Sequence, residues 1–308
     1  MSLSIEVLHI DAFTTIPNMG NPAGVVLHAE VLTPAQMQEI AKRVGFNETV
    51  FVLPSSEADV KLKYYTPGHE MNLCGHATMA AIYALANHDP ERESKERLDQ
   101  LTVETNVGIL PITVRADEHS DMLIQMQQAR PQFIPFEGDK ERLMWSMGLN
   151  QSVLHSELPI VYGSTGIWTL LIPLANLDCF SRMEPKNEHF PELLTEMPRA
   201  SLHPFCMGAH DVKAFMHARH FSSPYSGTIE DPATGTASGV MGAYYMQYAA
   251  PELTNLSFTV EQGTEIGKDG RVHVEAKRNG GHVDIYVAGT AAYVSTMTIE
   301  LEGSEITR

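Results

Sequence analysis

A chain of 308 residues can bury a sizeable core and, at roughly 150 residues per domain, can form two domains. Its 21 Lys and Arg against 38 Asp and Glu give a net charge of −17, which excludes long-range attraction to nucleic acid or anionic lipid. No run of about 18 apolar residues could span a bilayer, and Glu6 and Asp11 stand where a signal peptide would be basic and then apolar, so the chain reads as soluble and cytoplasmic.

In chain order, alternation predicts a strand at 5–10 (IEVLHI), and PAQMQEIAKRV predicts a helix over 34–44 with Pro34 in its first turn. A strand follows at 60–65 (VKLKYY), then helices over 75–87, near 139–147 and over 235–249. Further strands fall at 272–276, 283–287 and 298–301, so strands outnumber helices. The helices GHATMAAIYALA and GTASGVMGAYYMQY are small and apolar on every side, which predicts that each is enclosed by a sheet.

The two enclosed helices also match in sequence. Setting Cys74 on Thr234 aligns E-MNL-C-G-H-A-T (70–78) with E-DPA-T-G-T-A-S (230–238). The reading is two similar α/β halves, divided near 117–121, each with a central helix.

The first turn of such a helix offers unpaired N–H groups and the positive end of the helix dipole, a seat for a carboxylate. Gly75 and Gly235 leave those amides uncovered. Facing halves would frame a cleft lined by Cys74, His76, Asp231, Thr234, Thr236 and Ser238. The plainer reading is that the residues before each helix are ordinary caps. Glu48, between Asn47 and the apolar run TVFV, is either a solvated loop residue or a carboxylate taken out of water and suited to proton transfer.

The segments DAFTTIPNMGNPAGVVL (11–27), GFNETVFV (45–52), YTPGHEMNLCGHATMAA (65–81), EDPATGTASGVMGAY (230–244) and EQGTEIGKDGRVHVE (261–275) occur in this order. Together they resemble the signatures of the phenazine-biosynthesis PhzF-like family, which has the diaminopimelate epimerase-like fold, with most likeness to bacterial members of uncertain substrate. The resemblance implies two pseudo-symmetric α+β domains, each a barrel-like, mostly antiparallel sheet around a central helix. They would comprise residues 1–118, joined by the C-terminal strand 297–308, and residues 119–296. It implies Glu48, His76 and Asp231 as catalytic residues, with Glu48 moving a proton and the other two holding polar substituents. Asn21, Cys74, Gly75, Thr234, Gly235 and Thr236 would contact substrate.

The implied activity is a cofactor-independent isomerase acting on a small carboxylate-bearing metabolite, with a homodimer as the assembly and no nucleic acid or membrane partner. A non-catalytic ligand or partner binder, or a single-thiol epimerase using Cys74, are the alternatives. Tyr64 and Tyr65 stand where the family commonly has phenylalanine near an arginine, and Lys268 stands where arginine is frequent. Both departures argue against the phenazine precursor as substrate.

Racemases of this fold carry a thiol at each helix mouth; Thr234 in the second position excludes two-thiol chemistry, and a helix-end thiolate at Cys74 is the weaker reading. Cys74, Cys179 and Cys206 form no CxxC pair. The HARH segment (217–220) would place His217 and His220 on one helical face, yet with no HExxH or third ligand it reads as a solvated or capping pair, and no metal is expected. No phosphate loop is present. Gln262 and Gly263 read as a turn closing a strand pair, with a role at the site as the lesser reading.

Overall fold

The computed structural model describes residues 3–90, 99–116 and 121–301, so the boundary predicted at 118/119 lies outside the described residues. The chain splits into two compact units, Met1–Met126 with Ala288–Arg308, and Gln127–Val287.

In the first unit, strand Leu3–Ala12 pairs antiparallel with Ala291–Leu301 on one side and Asn21–Val26 on the other. Asn21–Val26 runs parallel to Glu48–Leu53, which pairs antiparallel with Val60–Tyr65. Val60–Tyr65 runs parallel to Gln100–Thr105, and antiparallel Gly108–Ala116 and Met122–Gln127 continue the sheet. Helix α1 (Pro34–Val44) begins at a capping box between Thr33 and Gln36 and ends at Gly45, whose φ of 75° suits glycine. Its Met37 and Ile40 pack with Val26, Phe51 and Leu301.

Helix α2 (Gly75–Asn87) buries Ala77 through Ile82 without a break and packs on strands Leu3–Ala12, Asn21–Val26, Glu48–Leu53 and Ala291–Leu301. A helix with no polar face has no side to offer water, so the sheet surrounds it.

The second unit is built on the same plan. Gln132–Pro135, Val161–Ser164 and Trp168–Pro173 pair antiparallel in turn, Trp168–Pro173 runs parallel to Ser201–Met207, and Met216–Ala218 pairs with that strand. Met216–Ala218 runs parallel to Asn255–Gln262, which pairs antiparallel with Gly270–Asn279. Short helices α3 (Lys140–Trp145), capped by Asp139, and α4 (Phe190–Leu193) cover a core of Tyr162, Leu170, Phe180 and Phe190.

Helix α5 (Gly235–Tyr244) is enclosed by strands Val161–Ser164, Trp168–Pro173 and Gly270–Asn279. A Cβ on Gly239 or Gly242 would come within 2.9 Å of Val287 or Val274, so the small residues are there to admit the sheet. The predicted helix over 235–249 leaves α geometry at Tyr245 and finishes as one π-helical turn, Tyr245–Ala249.

The helical reading of HARH is overturned. Met216–Ala218 and His220–Phe221 are short strands, and both histidines are buried. His220 Nδ1 lies 3.1 Å from His203 Nδ1, and His217 is sandwiched between two glutamates, so neither is solvated and neither serves as a cap.

Candidate active site

In the first unit, Asn21 and Glu48 each open a strand, and the register that sets Ala23 beside Glu48 brings those strand starts together. Cys74, Gly75 and His76 form the first turn of α2. Three predicted residues therefore converge on the imidazole of a fourth, His76. His76 Nε2 lies 3.1 Å from Glu48 Oε2, and His76 Nδ1 lies 3.4 Å from both Cys74 Sγ and Asn21 Nδ2. The Glu48 side chain is 15% exposed and that of His76 is 11% exposed, so Glu48 is not a solvated loop residue. Its buried Oε2 has no hydrogen-bond partner among the described residues besides this imidazole contact.

Burial pushes the Cys74 thiol up, with the imidazole offsetting part of the effect. Burial works against charge on His76, but Cys74 and the Glu48 carboxylate outweigh it and hold the imidazole well above the ordinary histidine range. The ligand atoms of Glu48, Cys74 and His76 lie within 4.8 Å of one another. The arrangement suits proton handling.

Tyr64 is fully buried and its hydroxyl meets Thr78 Oγ1 at 2.7 Å, while Thr78 donates to the Cys74 carbonyl at 2.7 Å. Tyr64 thus braces the helix start from the core, and its hydroxyl is satisfied there. Asp11, fully buried, holds His9 at 2.9 Å and accepts from the Asn18 backbone at 2.6 Å, fixing the loop that leads into Asn21.

In the second unit, Asp231, Thr234, Gly235 and Thr236 are brought together at the start of α5. Thr234 donates to Asp231 Oδ2 at 2.5 Å. Gln262 Nε2 donates to the Asp231 carbonyl at 2.7 Å and to Thr234 Oγ1 at 3.1 Å, while its Oε1 accepts from the Thr234 N–H at 3.2 Å. Gly263 has a φ of 93°, and a Cβ there would lie 2.6 Å from the Pro232 carbonyl. Gln262 and Gly263 stand where the antiparallel strands Asn255–Gln262 and Gly270–Asn279 are joined, as the sequence predicts, and they also form the floor under the Asp231–Thr234 loop. Thr165 Oγ1 donates to the Thr236 carbonyl at 3.0 Å.

Neither Cys74 nor Thr234 caps its helix through the side chain, so the ordinary-cap reading of these positions fails. Two cavities, of about 250 and 460 Å³, are lined by none of the predicted site residues; the helix mouths are distinguished by their chemistry instead. No helix among the described residues is long and apolar enough to cross a membrane.

A sheet-dominated α+β chain with polar residues gathered at the mouths of two enclosed apolar helices has the architecture of PhzF-type proteins. The chain belongs to the phenazine biosynthesis-like (PhzC-PhzF) family, whose pattern matches residues 10–297. It is 48% identical over 296 residues to the uncharacterized isomerase YfhB of Bacillus subtilis, covering 96% of this chain and 99% of that one. A crystal structure of a Bacillus anthracis PhzF-family protein superposes with a TM-score of 0.93 at 52% identity, covering 96% and 99% of the two chains. The trans-2,3-dihydro-3-hydroxyanthranilate isomerase of Pseudomonas aeruginosa is 27% identical over 286 residues, covering 92% and 95%.

Proposed function

We propose that this protein is a cofactor-independent isomerase that moves a proton between two carbons of a small carboxylate-bearing metabolite, with Glu48 as the acid and base. The observation that carries the reading is the buried Glu48 Oε2, 3.1 Å from His76 Nε2 and with no other hydrogen-bond partner among the described residues. The isomerase names of the relatives in B. subtilis and P. aeruginosa point the same way. In this reading the Glu48 carboxylate takes a proton from one carbon, the electron pair moves toward an electron-withdrawing group of the substrate, and the carboxyl returns the proton to a second carbon. His76, carrying its proton, offers an N–H to Glu48 or to a ligand oxygen. In the first unit the Gly75 amide is a seat for a carboxylate; in the second, Asp231 is suited to hold a polar substituent and the Gly235 and Thr236 amides form the equivalent anion seat.

The burial that pushes the Cys74 thiol up weighs against a thiol mechanism. The test is incubation of candidate hydroxy- and amino-substituted carboxylates in deuterated water with the wild type and Glu48→Gln. Deuterium entering the substrate with wild type and falling by about 10²- to 10⁴-fold in the variant is the expected result. Equal uptake in both removes Glu48 from the role, and tight ligand binding without any exchange in wild type makes the protein a binder.

A further inference from the structure

A second cluster of titratable groups lies in the second unit, within the sheet, and the proposed isomerisation makes no use of it. His217, at the centre of strand Met216–Ala218, is completely buried. Its Nδ1 is 2.7 Å from Glu261 Oε1 and its Nε2 is 2.8 Å from Glu265 Oε1. Glu261 is also buried and accepts from the backbone N–H groups of His210, at 2.5 Å, and Asp211, at 3.0 Å.

A neutral imidazole cannot serve both neighbours. With its proton on Nδ1, donated to Glu261, the Nε2 lone pair faces Glu265 Oε1, and two acceptors 2.8 Å apart need an electrophile between or beside them. A second ring proton would satisfy that one contact. It would leave Glu265 Oε2, a buried carboxylate oxygen on a side chain 10% exposed, with no partner among the described residues. It would also give no role to the exposed His210 ring, which stands 5.0 Å from the His217 ring and has a nitrogen within 4.8 Å of both other ligand atoms.

The geometry points to a divalent-cation site of the zinc type, with His217 Nε2, Glu265 and His210 as ligands and a water-accessible fourth position. Zinc takes such nitrogen and oxygen donors at about 2.0–2.2 Å in a tetrahedron, which sets ligand atoms roughly 3.4 Å apart. Here they already lie within 4.8 Å, and turning the exposed His210 ring closes the remainder. Glu261 fills the place of the carboxylate that commonly orients a metal-bound histidine through its other nitrogen. The cation would tie the turn Thr264–Ile266, which carries Glu265, to the strand carrying His217. Gln262 and Gly263, the floor of the Asp231 loop, lie immediately before that turn, so the ion would stiffen one wall of the candidate active site from behind.

The test is calorimetric titration of the full chain with Zn(II) after dialysis against a chelator, together with absorption spectra of the Co(II) form. One ion per chain is expected, with affinity weakened at least about tenfold in His210→Ala and in Glu265→Gln; even outer-shell partners of metal sites are worth about 10- to 100-fold. His210 is exposed, so the metal-free His210→Ala variant should melt with the metal-free wild type, which keeps the affinity loss separate from misfolding. Absence of binding, or equal affinity in wild type and both variants, overturns the site. A thiolate-to-cobalt charge-transfer band would place the ion on a cysteine instead of this ligand set and overturn it as well.

Discussion

At the mouth of α2 the polar groups are an imidazole, a carboxylate and a thiol, and Cys74 and the Glu48 carboxylate hold the imidazole above the ordinary histidine range. At the mouth of α5 a carboxylate, a hydroxyl and an amide are locked into one another by Asp231, Thr234 and Gln262. The backbones are alike: Tyr65 pairs with Glu70 and Phe221 with Glu230, and each two-residue strand leads into an enclosed helix after three further residues. Even the equivalent glutamates differ, since Glu70 takes the Tyr65 hydroxyl at 3.1 Å, whereas Glu230 is gripped by both arms of Arg219 at 2.7 and 2.8 Å in a buried pair. One copy of the plan is furnished with groups that gain and lose protons and the other with groups that keep a shape. A duplicated helix mouth can thus divide labour without altering its frame.

The largest test of that division is Glu48→Gln, which removes the ionisable carboxyl while keeping the shape. Isotope exchange should fall by about 10²- to 10⁴-fold with little change in melting temperature. The converse change, Gln262→Leu, leaves Glu48 intact and strips the partners from the Asp231 loop.

Buried His203 and His220 of the second unit and His76 of the first should answer pH in opposite senses. Burial holds His220 down to about 4 and, with His220 beside it, His203 well below the histidine range, so both are neutral when folded and take protons on unfolding in acid. That stabilisation is complete above the unfolded value of about 6.5 and is lost as pH falls from there toward the folded value, up to about 3 kcal/mol for His220. His76, facing Glu48, Cys74 and Asn21, is raised instead. Its contribution is complete below about 6.5 and is lost as pH climbs through the higher folded value. Hydrogen exchange followed by mass spectrometry should show Ser201–Met207 opening first in acid and α2 first in mild alkali. His220→Gln should flatten the acid limb alone; an unchanged limb would reassign it to other groups.

Gln262→Leu should lower stability by about 2 kcal/mol in urea, since the Asp231 carbonyl, Thr234 hydroxyl and Thr234 amide all lose a bond. Substrate affinity should weaken more than turnover. Smallest of all, Cys74→Ser should leave isotope exchange within about threefold, because burial pushes the thiol up and so disfavours the thiolate that a nucleophile or base requires. A complete loss would restore the thiol mechanism.

Much of this was legible in the sequence. The all-apolar stretches 75–87 and 235–249 announced enclosed helices, and the E-x3-C/T-G-x-A match announced the duplicated mouth, because small residues and glycine are written locally. Strands such as Ser201–Met207 were not legible: nearly every residue in it is buried, so the two-residue alternation that marks a half-exposed strand is missing. The NPAGVV strand is masked by its proline and glycine, although it carries Asn21. Glu48 could not be told from a loop carboxylate without the parallel register to Ala23, which joins residues distant in sequence. HARH misled because its spacing fits a helix, while its partners Glu261, Glu265 and His203 are supplied by other strands and a turn.

The strand Ala291–Leu301 bears on how the chain reaches its fold. Leu3 pairs with Leu301 and Ala12 with Ala291, so the first strand of the protein is completed by one made after the whole second unit. Gln127–Val287 is a single uninterrupted stretch and has all its internal partners in hand earlier. During synthesis, the unit holding Asp231 can close while the sheet around α2 still has an open edge, and loop closure across nearly the full chain is a slow step. Glu48 and His76 therefore sit in the sheet whose closing strand is made after the scaffold that shares their plan.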